Sequence, residues 1–97
     1  MSEPEPDAES LTPEQLLEQI KRLKVSDLLL STITTLAQIG YAKLDETSRD
    51  LEQARIAIDA IAALLPLIEG HVPAEISRDL AQMAANLKLA YAAAASP

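Results

Sequence analysis

The stretch LEQARIAIDAIAALLPLIE, Leu51 to Glu69, constrains this chain more than any other. Leu51, Ala54, Ile58, Ile61, Leu65 and Ile68 step by three and four, the spacing of a heptad seam. Ala57, Ala60, Leu64 and Leu67 add a second stripe beside it. A helix apolar over so wide an arc has to be covered on more than one side. It therefore reads as the central helix of a small all-α bundle. Pro66 interrupts the pattern, because it removes the bond to the Ala62 carbonyl and crowds that turn. The helix either kinks there or stops and restarts, and Gly70 ends it.

The seam needs a partner, and the chain supplies one directly after. His71-Val72-Pro73 is a tight connection, with Pro73 suited to a first helical position. From Ala74 to about Ala94 the residues Ile76, Leu80, Met83, Leu87 and Ala90 again fall at heptad spacing. A short connection between two long amphipathic helices makes them an antiparallel hairpin. The second stripe is left for the segment Asp27 to Ile39, in which Leu28, Leu29, Leu30, Ile33, Leu36, Ala37 and Ile39 wrap most of a helix. Its Ser and Thr residues suit a semi-buried face, with hydroxyls bonding back to carbonyls four residues earlier. Gly40 is placed to act as a left-handed C-terminal cap. Tyr41 to Thr47 then reads as a linker. The central helix starts between Thr47 and Asp50, with either residue as the cap and Gln53 answering Asp50.

Upstream, Thr12-Pro13-Glu14-Gln15 is a helix start with the spacing of a capping box. Leu16, Leu17, Ile20 and Leu23 line one side of a short amphipathic helix, and Lys21, Arg22 and Lys24 complement its C-terminal dipole. Ser26 is a candidate cap for the next helix, with Val25 stapled against Leu30. No Gly or Pro separates the two, so residues 12–39 form one helix or two. The fold expected is a three- to four-helix bundle built on an antiparallel hairpin. Residues 11–97 make a single helical domain, preceded by a disordered acidic tail over residues 1–10.

Composition narrows the function classes. Of the net charge of −7, Glu3, Glu5, Asp7 and Glu9 in the tail account for four, which leaves a mildly acidic domain. Binding to nucleic acid is not expected, since nothing resembles the basic footprint needed to neutralise phosphates. No run of about 18 apolar residues offers a membrane span, and the N-terminus lacks a signal-peptide pattern. A cytoplasmic location is the simplest expectation. With aromatics at 2% and no Phe or Trp, the core must be Leu, Ile and Ala. The chain has no Cys, and at 97 residues oligomerisation is a reasonable source of added stability.

Catalytic machinery is not expected, nor is a cofactor or a metal. A nucleophile needs a base beside it, and the single histidine, His71, sits in a turn. Metal-ligand spacings are absent, and Gly40 and Gly70 stand alone, so no phosphate-cradling loop exists. The candidate functional residues are therefore those of an interface. They are the apolar Leu28, Leu29, Ile33, Leu36, Ala57, Ala60, Leu64 and Leu67, with Arg55 and Asp59 as an i,i+4 ion pair at the edge.

The second half also resembles a known family. The helix ending Leu36-Ala37-Gln38-Ile39-Gly40, the start Asp50-Leu51-Glu52-Gln53-Ala54-Arg55, the pair Ile58-Asp59, Leu64 with the Glu69-Gly70 stop, and Leu80, Leu87 and Tyr91 are similar to the bacterial domain of unknown function 1844 family. The likeness runs from about Val25 to Tyr91. It implies a small bacterial helical protein and assigns no catalytic residue. The family's genes in some bacteria lie near translation genes. The reading that follows is a non-enzymatic helical interaction module that self-associates, with a homodimer as the expected form. The alternative is a translation- or ribosome-associated regulatory factor, supported by that association and by the Lys21, Arg22 and Lys24 patch.

Overall fold

A computed structural model describes residues 12–96, and the expectation of a disordered tail over residues 1–10 lies outside the described residues. Among the described residues the fold is all-α. The helices are α1 (Pro13–Arg22), α2 (Val25–Ala42), α3 (Leu51–Ile68) and α4 (Ala74–Ala95), with one turn of 3-10 helix at Glu46–Ser48. Helices α2, α3 and α4 pack pairwise against one another, and α1 is not among the packed pairs. The bundle is a three-helix core with a fourth helix set apart from it.

The core is where the heptad pattern placed it. Ala54, Ile58, Ile61 and Ile68 of α3 are buried with Leu80 and Leu87 of α4 and with Ile33 and Ala37 of α2. Ile33, Ile61, Ile68 and Leu87 are the large side chains fully removed from water, each contributing about 1.5–3 kcal/mol by transfer. No polar side chain is buried among the described residues, so the interior between the three helices is apolar.

Several local expectations are corrected. Gly40 is not a cap. Helix α2 continues through it to Ala42, and among the described residues only Gly70 has a positive φ, at 85°. Gly40 serves instead as a contact point. A Cβ built on it would lie 3.0 Å from Leu87 Cδ2 and 3.3 Å from Ala57 Cβ. The missing side chain thus lets α2 press against α3 and α4 at once. Tyr41 accordingly belongs to α2 and not to a linker. The linker proper is Lys43 to Asp50, in which Leu44 is buried and the Arg49 guanidinium donates to the carbonyls of Leu44 (3.2 Å) and Ala94 (3.4 Å).

Residues 12–39 form two helices, because Leu23 and Lys24 are extended, with ψ of 140° and 130°. Ser26 is not the cap of α2. Lys24 holds that position and makes no side-chain capping bond, so one cation of the basic trio sits at a helix N-terminus, where the dipole disfavours it. Val25 is exposed and not stapled inward. Other starts are as read. Thr12 and Gln15 form both halves of a capping box, at 3.1 and 3.0 Å. Asp50 caps α3 by accepting from the Gln53 amide at 3.2 Å, while Thr47 bonds to Asp45 instead. Pro66 does not stop α3, which runs on to Ile68. Pro73 precedes α4 as its cap residue and is not its first helical residue. Thr32 and Thr34 bond back to the Leu28 and Leu30 carbonyls, at 2.8 and 3.0 Å.

Candidate interaction surface

Helix α1 presents a complete apolar stripe to solvent. Leu16, Leu17 and Ile20 are 39%, 52% and 54% exposed, Leu23 is 72% exposed, and no residue of α1 is buried. At ten residues, α1 is shorter than the roughly 12–15 residues at which an isolated helix becomes even marginal in water. Its capping box helps, but a lone helix of this length gains little from local terms. Its natural stabilisation is burial of that stripe.

Exposed apolar residues are not confined to α1. Val25 and Leu28 at the start of α2 and Leu67 at the end of α3 are 71%, 63% and 60% exposed. Val25 and Leu67, with Ser26, Leu29 and His71, line one shallow recess where those two helix ends meet. Exposed apolar residues are ordinary singly; a contiguous set is the informative observation.

The ten residues expected at an interface separate into three groups. Ile33 and Ala57 are buried within the single chain. Leu29, Leu36 and Leu64 are partly buried against the core, and Ala60 is partly buried as well. Only Leu28 and Leu67 remain open among the apolar eight. The second stripe of α3 is therefore spent mostly inside one chain, with Gly40 allowing α2 to reach Ala57. Arg55 and Asp59 do pair, at 3.5 Å, with both side chains largely exposed. The Tyr91 hydroxyl beside Arg55, followed by the Asp59 carboxylate, raises the guanidinium's affinity for its proton. At such exposure the pair adds little to stability.

A second surface was not anticipated from the sequence. Between α3 and α4, on the side that α2 does not line, runs a groove of about 230 Å³. Ile61 and Leu87 form its floor, with Ala62 and Leu65 on one wall and Ala81 and Ala85 on the other. The signal was present in Ala81, Ala84 and Ala85 of α4, spaced by three and four beside the heptad seam. At the groove's rim Lys88 adjoins the Arg55, Asp59 and Tyr91 cluster. Lys88 makes no ion pair among the described residues.

Among the described residues no group of three or more His, Cys, Asp or Glu side chains is arranged to hold a metal ion, and no helix is long and apolar enough to cross a membrane. His71 is exposed in the turn before α4. Comparison with known proteins returns no matching family model, no matching curated protein and no matching solved structure.

Proposed function

We propose that this protein is a non-catalytic helical interaction module that associates with itself. One observation carries the reading: a short amphipathic helix holds its whole apolar stripe in water, beside further open apolar residues at Val25, Leu28 and Leu67. A helix of this length is weakly stable alone, so a surface that covers it gains both the burial and the ordering. The core of α2, α3 and α4 is formed without α1, none of whose residues belongs to it. The resemblance to the domain of unknown function 1844 family belongs to this proposal and rests on the residues quoted for it. A cytoplasmic setting belongs to it on the same terms.

Sedimentation equilibrium of the full chain across the micromolar range tests the reading. The expected result is a reversible dimer. A monomer throughout that range would sink the proposal.

A further inference from the structure

The open stripe of α1 is bordered by charges in an order that fits a reversed copy of itself. We infer that the α1 stripe is covered by the α1 of a second copy, the two helices lying antiparallel about a two-fold axis that passes between Leu17 and Glu18. This inference rests on the self-association proposed above and names its interface.

At about 100° per residue, Leu16, Leu17, Ile20 and the C-cap residue Leu23 share one side of α1. Glu14 and Lys21, two turns apart, stand in line on the Leu17 border of that stripe. Gln15 and Gln19 stand on the other border. Glu18 and Arg22 lie on the far side, where they pair with each other at 3.9 Å. Glu14 and Lys21 are about 10 Å apart along the axis and form no ion pair among the described residues. Helix α1 thus spends one acid and one base on itself and leaves the other two beside its apolar face.

A two-fold axis across the helices sets each border of one α1 against the same border of its partner, running the other way. Glu14 then lies opposite the partner's Lys21, and Lys21 opposite the partner's Glu14. On the other border Gln15 meets the partner's Gln19 without charge. Between the borders Ile20 packs against the partner's Leu16 and Leu17. Parallel packing would set the charged border of one helix against the glutamine border of the other, and no ion pair would form. Charge therefore selects the antiparallel pair, and the face is its own complement, as a closed two-fold dimer requires.

Charge also disfavours other occupants. Glu14, Glu18, Lys21 and Arg22 sum to zero, so α1 lacks the basic polar face that draws an amphipathic helix to an anionic membrane. The chain's own bundle does not cover the stripe, since α1 is not among the packed pairs. Each α1 is too short to be stable alone, so pairing and helix formation support each other. One short helix on another is a small contact, at the weak and reversible end of interface sizes.

Charge reversal tests the pairing. Glu14→Lys and Lys21→Glu are sedimented across the micromolar range, each alone and as an equimolar mixture, beside the wild type. Either variant alone sets like charges together twice and should dimerise at least about threefold more weakly than wild type. The mixture restores both ion pairs and should form the heterodimer in preference to either homodimer. The chain has no cysteine, so Leu17→Cys should close a disulfide between copies on oxidation, because the two Leu17 positions flank the axis. Leu23→Cys, about 16 Å from its counterpart along the helices, should not. All four positions are exposed, and circular dichroism at 222 nm verifies that the core stays folded. A wild-type dimer that both reversals leave unchanged, with no preference in the mixture, overturns the α1 pairing while self-association stands. Closure at Leu23→Cys in place of Leu17→Cys overturns the antiparallel direction. A wild-type monomer throughout the range overturns both this inference and the proposal beneath it; pelleting of that monomer with phosphatidylserine vesicles would assign the stripe to a membrane surface, and a core destabilised by Ile20→Asp would assign it to the chain's own bundle.

Discussion

Substituting Gly40 with Ala probes how closely the three helices meet. In an ordinary helix the change is favourable by about 1 kcal/mol, because alanine loses less backbone entropy. Gly40 has no positive φ, so no backbone strain offsets that gain. The new methyl, however, would stand 3.0 Å from Leu87 Cδ2 and 3.3 Å from Ala57 Cβ. Leu87 is fully buried and can give only toward the α3–α4 groove that it floors, while the Ala57 Cβ is fixed to the α3 backbone. Overpacking of this kind costs about 1–3 kcal/mol. The steric cost wins, and Gly40→Ala should be destabilised by about 1 kcal/mol net. For a domain of this size that lowers Tm by about 4–8 °C. With no Trp in the chain, urea and thermal unfolding are followed by circular dichroism at 222 nm. Protein concentration is held fixed, since any dimer adds concentration-dependent stability.

The mechanism, and not only the sign, is open to test. Leu87→Ala alone should cost about 2–5 kcal/mol. In the Gly40→Ala background the added methyl fills part of that cavity, so the two changes should fall short of additivity by about 0.5 kcal/mol or more. Gly70→Ala is the control. It also loses about 1–2 kcal/mol, but through its left-handed φ of 85°. Nothing lies within 4 Å of a Cβ there, so it should add to Leu87→Ala without coupling. A Gly40→Ala protein more stable than wild type, or equal coupling of both glycines to Leu87, would refute the close-contact reasoning.

Other perturbations separate the core from α1. Asp50→Ala should cost the core about 1 kcal/mol by removing the α3 cap, whereas Thr12→Ala should lower helicity and leave the core's unfolding midpoint unchanged at concentrations where the chain is monomeric. Pro66→Ala should raise Tm, with a gain of about 1–3 kcal/mol as the Ala62 carbonyl regains a donor; an unchanged or lower Tm would mean that the proline's stiffening of the unfolded chain dominates. Leu28→Ala and Leu67→Ala, both exposed, should change monomer stability by no more than about 0.5 kcal/mol, and full burial of either residue in the monomer would show instead as a loss above about 2 kcal/mol in urea titration.

The sequence alone determined that the chain is helical, where α3 and α4 lie, and most of the core. Of the heptad positions in α3 and α4, Ala54, Ile58, Ile61, Ile68, Leu80 and Leu87 are buried, and Leu51, Leu65, Ile76, Met83 and Ala90 are partly buried against them. That pattern is legible because a seam must repeat with the helix itself. Local chemistry was legible for the same reason: the Thr12 capping box, the Asp50 cap and the stop of α3 before Gly70 depend only on neighbours a few residues away. What the tertiary structure decided are the properties that depend on distant partners. Gly40 looked like a helix stop, yet it is a contact point, because Leu87 and Ala57 arrive beside it from other helices. The break at Leu23–Lys24 carries no Gly or Pro to announce it. The division of apolar residues into those spent on the core, such as Ala57 and Ile33, and those left in water, such as Leu17 and Ile20, is likewise invisible along the chain. A hydrophobic stripe states that a helix needs covering; only the packing of the other three helices shows that α1 is the one they leave uncovered.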